Sequence, residues 1–393
     1  MLSRLRTVSP PTALALFAAG AVTAVLLAMI IDSGSGSTAQ KRKPAAAKQA
    51  GPGQAVKPSP QRSGIKSLPR PRMPALEDMI GQRFMVGLRG ASPTPALLGD
   101  ARRGEIGGVL VFPEEASPAE VEAAIARLQR EAEAGGHPPL LIAVDQEGGP
   151  VKRFPEGPPK APLSSLSPGA ALEEGKATGF YLREHRVNVD LAPVVDLGLP
   201  GSFMSAQQRT ISSDPQTVID TSLAFASGLR EANVMPVAKH FPGLGLAAAN
   251  TDEETSVVEG ELGDSLQPFG AWIVAGMPAI MVGTAIYTSL DADNGAAWSP
   301  AIVNGLLREQ LGFRGLVISD DLTTPGIAAS PSIPVATVAT AAAGVDVLMI
   351  VDPEDFRDAY EATLRAAEEG GISRDVVSSS YRRIIDAKVE YAR

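Results

Sequence analysis

One stretch of this chain indicates the fold most directly: Gly312-Phe313-Arg314-Gly315-Leu316-Val317-Ile318-Ser319-Asp320-Asp321-Leu322. Its apolar centre is typical of a strand buried in a parallel sheet, and the strand ends in two adjacent acids. An acid is a poor core residue, but the carboxyl end of a strand holds a side chain at the rim of a sheet or barrel, where active sites are built. The stretch therefore predicts a parallel α/β fold with a functional acid, Asp320, at a strand tip.

Other apolar runs along the chain have the same character. Together with the run at 315–320 in the stretch above, there are eight: residues 84–88, 108–112, 140–145, 187–195, 235–241, 279–287, 315–320 and 345–351. Amphipathic helical segments lie between them, for example residues 117–134, which open with Ser-Pro, and residues 300–311. Strand and helix alternating eight times predict a single (β/α)8 barrel. A doubly wound open sheet is the alternative, which the lack of a G-x-G-x-x-G or Walker-type loop after an early strand weakens.

Polar residues recur at the predicted strand tips. They are Asp145, Asp196, Lys239 with His240, Tyr287, and Asp320 with Asp321. In a barrel the carboxyl ends of all strands meet on one face, so these side chains are expected to converge there. Asp190 and Asp346 lie earlier in their strands, and we interpret them as buried, hydrogen-bonded structural acids.

The N-terminal part of the chain differs from the rest. Residues 12–31 carry no charge and follow Arg4 and Arg6, which predicts a membrane-spanning anchor or a signal peptide in residues 1–32. The length of the apolar run favours an anchor, while Ser37-Thr38-Ala39 offers a cleavage site, so both interpretations stay open. Residues 33–72 are rich in Pro, Ala and Gly and predict a disordered basic tether ahead of a barrel domain at 73–393. The chain has no cysteine, which excludes disulfides and a lipid-modified cysteine anchor.

Charge separates the tether from the barrel domain. The whole chain has a formal net charge of −9, although residues 33–72 contain nine Lys or Arg and no acid, so the barrel domain is strongly acidic. An acidic surface argues against nucleic acid as a partner. The basic residues after the apolar run would keep the barrel in the cytoplasm by the positive-inside rule. A signal-like start followed by a long tether favours the opposite side, and an extracytoplasmic domain, anchored or secreted, is the location we predict.

Five segments carry a resemblance to a known family. They are Val144-Asp145-Gln146-Glu147-Gly148-Gly149-Pro150-Val151-Lys152-Arg153; Asn188-Val189-Asp190-Leu191-Ala192-Pro193-Val194-Val195-Asp196; Arg209 ahead of Ser213-Asp214-Pro215; Ala238-Lys239-His240-Phe241-Pro242-Gly243; and the stretch that ends in Asp320-Asp321. In this order they make residues 76–386 resemble the bacterial β-N-acetylglucosaminidase (β-hexosaminidase) branch of family 3 glycoside hydrolases. The resemblance implies a single-barrel, retaining enzyme of cell-wall recycling that acts on a β-linked N-acetylglucosamine or a related β-sugar.

The resemblance also implies a role for individual residues. The family nucleophile, which attacks the anomeric carbon, carries over onto Asp320. The sugar-binding positions carry over onto Asp145, Arg153, Arg209, Lys239 and His240. Carboxylates and cationic side chains hold sugar hydroxyls through charge-assisted hydrogen bonds, although each of these residues alone would more often be a surface or ion-pair residue. Pro150 replaces an arginine that is common in the family, while Arg153 is retained.

One departure from the family concerns the general acid/base. The family carries an Asp-Ser-His segment on a mobile loop, and its His and Asp form the proton-transfer pair. Here Asn250 occupies the place of the aspartate and Asp252 that of the histidine, and the loop has no histidine. His137 and His185 are interpreted as structural. Either the donor is a carboxylate, Asp252 first and Glu253 or Glu254 next, or the protein is a catalytically impaired, membrane-tethered glycan-binding or scaffold relative.

Cofactor motifs are missing from the sequence. It contains no H-E-x-x-H, no cysteine set and no phosphate loop, so neither a metal nor an organic cofactor is predicted. The predicted partners are a carbohydrate substrate, such as a cell-wall glycan or muropeptide, and a membrane through the N-terminal segment.

Overall fold

The computed structural model describes residues 74–327 and 332–392. Eight parallel strands close into a barrel: β1 Phe84–Arg89, β2 Gly108–Phe112, β3 Leu141–Val144, β4 Val189–Asp190, β5 Met235–Phe241, β6 Ala279–Val282, β7 Leu316–Asp321 and β8 Val347–Ile350. Each strand pairs with the next along the chain, and β8 pairs with β1, with Phe84 opposite Leu348. The predicted (β/α)8 barrel is confirmed, and every predicted apolar run overlaps one barrel strand.

Helices surround the barrel and lie at its two ends. They are α1 Leu76–Gly81, α2 Pro95–Arg103, α3 Pro118–Ala134, α4 Pro168–Glu184, α5 Phe203–Ala206, α6 Pro215–Glu231, α7 Gln267–Val274, α8 Ile333–Ala343, α9 Pro353–Glu368 and α10 Arg374–Tyr391, with a π-helix at Ala301–Gln310 between β6 and β7. The helices predicted at residues 117–134 and 300–311 are both present. Ser117 caps α3, because its hydroxyl accepts the Glu120 N–H while the Glu120 carboxylate accepts the Ser117 N–H at 2.9 Å.

Two cores follow from the alternation of side chains along each strand. Met85 of β1 packs inside the barrel, whereas its neighbours Phe84 and Val86 pack between the strands and the outer helices. Ile384 and Tyr391 of α10 join the inner cluster, so α10 closes the N-terminal end of the barrel. The open end is therefore the one at which the strands have their carboxyl ends.

The two strand acids interpreted as structural are buried. Asp346 accepts hydrogen bonds from Arg308 at 2.7 Å and Arg383 at 2.8 Å, and it also accepts the Val317 N–H at 2.9 Å. Asp190 accepts the Gln146 N–H at 3.0 Å, and its burial raises its pKa well above the usual range. Neither acid lines the cavity at the open end.

Loops at the open end carry small sheets of their own. The strands Gln146–Gly148 and Val151–Lys152 form a hairpin after β3, and Gly148 and Gly149 turn it with φ of 85° and 60°, a region that favours glycine. A second sheet joins Val257–Val258, Ile286–Tyr287 and Asp291–Gly295. This sheet ties the loop after β5 to the loop after β6.

The predicted membrane segment at 12–31 and the predicted tether at 33–72 lie outside the described residues. Among residues 74–327 and 332–392, no helix has the length and apolar character needed to span a bilayer.

Candidate active site

A cavity of about 340 Å³ opens at the carboxyl ends of the barrel strands. All seven residues predicted for the site line it: Asp145, Arg153, Arg209, Lys239, His240, Asp252 and Asp320. Its volume falls in the range of small-ligand pockets. A second cavity, of about 490 Å³, lies at the opposite end of the barrel next to His137 and Arg186, and none of the seven residues lines it.

The barrel places these side chains from several separate elements. Asp145 directly follows β3, while Lys239 and His240 belong to β5 and Asp320 to β7. Arg153 follows the hairpin after β3, and Arg209 lies between α5 and α6. The structure thus brings all seven predicted residues together, and the chemical role of each remains a prediction.

An ion-pair network forms one wall of the site. The Lys239 Nζ lies 2.7 Å from the Asp145 Oδ1 and 2.7 Å from the Glu147 Oε1. Arg209 binds Glu147 with two nitrogens, at 2.8 and 3.1 Å. Glu147, Lys239 and Arg209 are nearly closed to solvent, so both cations are held in place before a ligand arrives.

The network fixes the charge of its members. Burial alone would raise the pKa of Glu147, but the charges of Lys239 and Arg209 outweigh it and lower that pKa to about 2. Burial alone would lower the pKa of Lys239, but the carboxylates of Asp145 and Glu147 outweigh it and raise that pKa. Lys239 is therefore a permanent cation at neutral pH.

His240 is held by a buried acid. Its Nδ1 lies 2.8 Å from the Asp196 Oδ2, and Asp196 also accepts the backbone N–H groups of His240 and of Leu244. Asp196 is fully buried, so it fixes the orientation of the imidazole. Because His240 lines the cavity, its Nε2 is the nitrogen available to a ligand.

Asp320 and Asp321 have different environments although they are adjacent. Asp320 lines the cavity and accepts the Asp321 N–H at 2.9 Å. Asp321 accepts the N–H groups of Thr323 at 2.9 Å and Val351 at 3.2 Å, so it holds the turn after β7. Burial raises the pKa of Asp321 to about 6. Asp321 is thus a turn acid, and Asp320 is the member of the pair left for a ligand.

The loop after β5 brings Asp252 to the cavity. Asp252 is exposed to solvent but lines the cavity, where incomplete hydration and then the charge of Asp320 raise its pKa. Arg209 and His240 act in the opposite direction, and Asp145 acts in the same direction as Asp320. Glu253 and Glu254 lie on the same turn but do not line the cavity.

Arg153 is more loosely held than Arg209. Its guanidinium lies 4.9 Å from the centre of the Phe112 ring and 3.6 Å from the Asp145 Oδ2. Its side chain is partly exposed, and its Nε has no hydrogen-bond partner among the described residues. A ligand in the cavity would therefore meet a guanidinium group that still has a donor without a partner in the described part of the chain.

The residues that form the barrel and its cavity match a known family of proteins. Residues 75–387 match the family model for the glycosyl hydrolase family 3 N terminal domain. This chain belongs to glycosyl hydrolase family 3. Membership confirms the predicted family, the O-glycosyl hydrolase class and a carbohydrate substrate.

Curated relatives and a solved structure support the same assignment. A β-hexosaminidase of Thiobacillus denitrificans is 34% identical over 275 residues, which cover 66% of this chain and 75% of that protein. An uncharacterized secreted glycosyl hydrolase of Arthroderma benhamiae is 31% identical over 285 residues, 68% of this chain and 80% of that one. The crystal structure of the β-N-acetylhexosaminidase from Beutenbergia cavernae superposes with a TM-score of 0.75 at 32% identity, over 81% of this chain and 99% of that one.

This family 3 member has two site residues that sequence reasoning missed. Glu147 is not among the sugar-binding residues that the sequence predicts, although Asp145 and Glu147 are two positions apart in an extended segment and so share a face. The sequence predicts Asp196 only as a polar strand tip, and its contact with His240 depends on the bridge between Val194 and Lys239 beyond the end of β4. Tyr287, expected on the same face, is fully buried and does not line the cavity.

Proposed function

We propose that this chain is a retaining glycoside hydrolase that releases β-linked N-acetylglucosamine from cell-wall-derived glycans. Asp320 acts as the nucleophile and Asp252 as the general acid/base. The sugar follows from relatives that are named β-hexosaminidase and β-N-acetylhexosaminidase. The two roles follow from which carboxylates in the cavity are already engaged.

Four of the acids in and behind the cavity are engaged in the free protein. Glu147 and Asp145 pair with Lys239, Asp196 pairs with His240, and Asp321 holds a turn. Asp320 and Asp252 have no ion pair with a cation within residues 74–327 and 332–392. An acid without a direct counter-ion can attack carbon or exchange a proton. The absence of such a partner at Asp320 and Asp252 among the described residues is therefore the observation that supports the proposal.

The two acids would share a double displacement. In the first step an Asp320 oxygen bonds to the anomeric carbon as the glycosidic bond breaks, and the Asp252 carboxyl gives its proton to the leaving oxygen. In the second step Asp252 takes a proton from water, whose oxygen bonds to the anomeric carbon as the Asp320 ester bond breaks. The raised pKa of Asp252 favours the protonated form that the first step requires.

The ion-pair network would hold the sugar during both steps. Lys239 offers donors toward the cavity, whereas Asp145 and the Nε2 of a neutral His240, whose Nδ1–H is directed at Asp196, offer acceptors. Their partners are fixed by buried contacts, so little side-chain ordering remains for the moment of binding. Arg153 is positioned to close on the sugar from the exposed side.

The proposal is tested with a nitrophenyl β-N-acetylglucosaminide and the variant Asp320→Asn. Wild type should release nitrophenol, and the variant should lose turnover by several orders of magnitude while still binding N-acetylglucosamine in calorimetry. A 5-fluoro glycosyl fluoride of the same sugar should add one glycosyl mass to wild type at Asp320. Near-native turnover by the variant would remove Asp320 from the mechanism.

One observation favours a second candidate, a glycan-binding relative without turnover. The loop carries no histidine, and Asn250 uses its side chain within the loop turn. Sugar binding with no release of nitrophenol and no covalent adduct would select this candidate.

We also propose that the barrel works outside the cytoplasm, held by or released from a membrane through residues 1–72. The secreted relative supports an extracytoplasmic location. The uncharged run at 12–31 supports the anchor, and the tether after it would give the barrel reach toward a wall glycan.

A further inference from the structure

The loop after β5 presents three consecutive acids, Asp252, Glu253 and Glu254. All three are exposed, and any of them is chemically able to transfer a proton. Only Asp252 lines the cavity. A contact within the loop should therefore direct Asp252 toward the cavity and hold Glu253 and Glu254 away from it.

Asn250 contacts all three acids. Its side-chain Oδ1 accepts the backbone N–H of Asp252 at 3.2 Å. Its side-chain Nδ2 donates to the Glu253 carboxylate at 3.0 Å. Its backbone oxygen accepts the N–H groups of Glu253 at 3.1 Å and Glu254 at 3.0 Å. One short side chain thus fixes the turn at Asp252 and holds the carboxylate of Glu253.

We propose that Asn250 is a positioning residue that selects Asp252 as the proton-transfer acid by holding its backbone and by engaging the carboxylate of Glu253. The inference rests on the proposed function, because it assumes that Asp252 transfers the proton. The three acids then have different roles. Asp252 transfers the proton in the cavity, the Glu253 carboxylate accepts a hydrogen bond from Asn250, and Glu254 contributes its backbone N–H to the turn.

Backbone hydrogen bonds also hold the loop on both sides of this turn, and before it the Phe203 N–H donates to the Ala247 oxygen at 3.0 Å. Val257–Val258 pairs with Ile286–Tyr287, so the far end of the loop is fixed by backbone hydrogen bonds. At the acids themselves, the Asn250 side chain adds two hydrogen bonds, one to the backbone of Asp252 and one to the carboxylate of Glu253. Loss of this side chain should therefore misplace Asp252 without unfolding the barrel.

The test compares two substrates with the same sugar, a nitrophenyl N-acetylglucosaminide and chitobiose. Asn250→Ala should slow the chitobiose reaction by roughly ten- to a hundred-fold, the range expected from an acid displaced by about an ångström. The bond-breaking step of the nitrophenyl substrate should change little, because nitrophenol leaves without protonation. Asn250→Asp keeps the Oδ1 acceptor and should retain more chitobiose activity than Asn250→Ala.

A matched control is available on the neighbouring loop. Asn294 donates to Asp291 at 3.2 Å in a similar turn, and it does not line the cavity. Asn294→Ala should leave the ratio of the two activities unchanged. In Asn250→Ala, the added change Glu253→Gln should lower the remaining chitobiose activity if the released Glu253 substitutes for Asp252.

The outcomes separate this inference from the proposed function. If Asp252→Ala fails to slow chitobiose selectively, the proposed acid is wrong and the positioning role ends with it. Suppose that Asp252→Ala slows chitobiose hydrolysis selectively while Asn250→Ala either slows both reactions equally or slows neither of them. That result overturns only the positioning role. Selective loss in both variants, with Asn250→Asp between Asn250→Ala and wild type, supports it.

Discussion

The Lys239 ammonium lies 2.7 Å from a carboxylate oxygen of Glu147, and both side chains are almost closed to solvent. The contact joins the strand tip of β5 to the hairpin after β3, so it fixes the wall of the cavity as well as its charge. Arg209 completes the pairing from the other side of Glu147. Removing Glu147 would leave two buried cations without their main partner.

Glu147→Gln should therefore destabilise the barrel. Breaking a buried ion pair by removing one partner costs about 3–5 kcal/mol, and the retained Gln oxygen favours the lower end. Urea unfolding at neutral pH measures the change. Asp293→Asn, at an exposed acid on the strand Asp291–Gly295, should shift the free energy of unfolding by less than about 0.5 kcal/mol. Equal stability of wild type and Glu147→Gln would show that the cations are hydrated.

The pair of Lys239 and Glu147 should also make the free energy of unfolding fall at acidic pH. The pKa of Glu147 is lowered from 4.5 to about 2 in the folded protein, so its contribution is complete above pH 4.5 and is lost as the pH falls toward 2. The stability difference between wild type and Glu147→Gln should shrink over that interval. Unfolding measured at pH 5 and pH 3 tests this sign, and a difference that grows on acidification would contradict it.

The barrel was predictable because its strands are buried on both faces and read as apolar runs separated by helices. Asp145, Lys239, His240 and Asp320 were predictable because barrel closure fixes where strand tips meet. Arg153 and Arg209 lie outside the barrel strands, and only the family resemblance predicted them. The choice among three loop acids was open from sequence, since it depends on hydrogen bonds made by Asn250. The contact between Asp196 and His240 depends likewise on the bridge between Val194 and Lys239 beyond the end of β4, which sequence spacing alone does not specify.

Asp252→Ala should separate substrates by leaving group. Loss of a general acid slows a reaction by about a hundred- to ten-thousand-fold when the leaving oxygen needs a proton, so chitobiose cleavage should fall by that factor. The nitrophenyl substrate should lose little at the step that breaks its bond. Added azide should accelerate the second half of its reaction, since an anion can replace base-activated water. Small, equal effects on both substrates would take this loop out of the mechanism.

The N-terminal residues should be dispensable for chemistry. A shortened chain that begins at Met73 retains every residue of the cavity, so it should hydrolyse the nitrophenyl substrate with the kcat/KM of the full chain. The full chain should sediment with membranes if residues 12–31 form an anchor, and the shortened chain should not. Loss of folding in the shortened chain would mean that the barrel depends on residues before 73.

Asp320→Asn should lower the pKa of Asp252. Incomplete hydration and then the negative charge of Asp320 raise that pKa, with a smaller contribution from Asp145, while His240 and Arg209 oppose them. The Asn side chain has nearly the same shape but no charge, so one raising influence disappears and the pKa moves down. Carbon NMR of labelled Asp carboxyls, with Asp252→Asn to identify the signal, measures the change. Glu259→Gln, an exposed acid that does not line the cavity, should leave the signal in place.

The direction of this shift bears on the second half of the proposed reaction. When Asp320 becomes a glycosyl ester it loses its charge, as it does in Asp320→Asn, so the same fall in pKa should turn Asp252 from a proton donor into a proton acceptor when water must be activated. The covalent adduct formed with the 5-fluoro sugar should show the lowered pKa as well. If the pKa of Asp252 is unchanged in both the variant and the adduct, the two carboxylates are too far apart or too well hydrated to influence each other, and the switch from acid to base must come from another group.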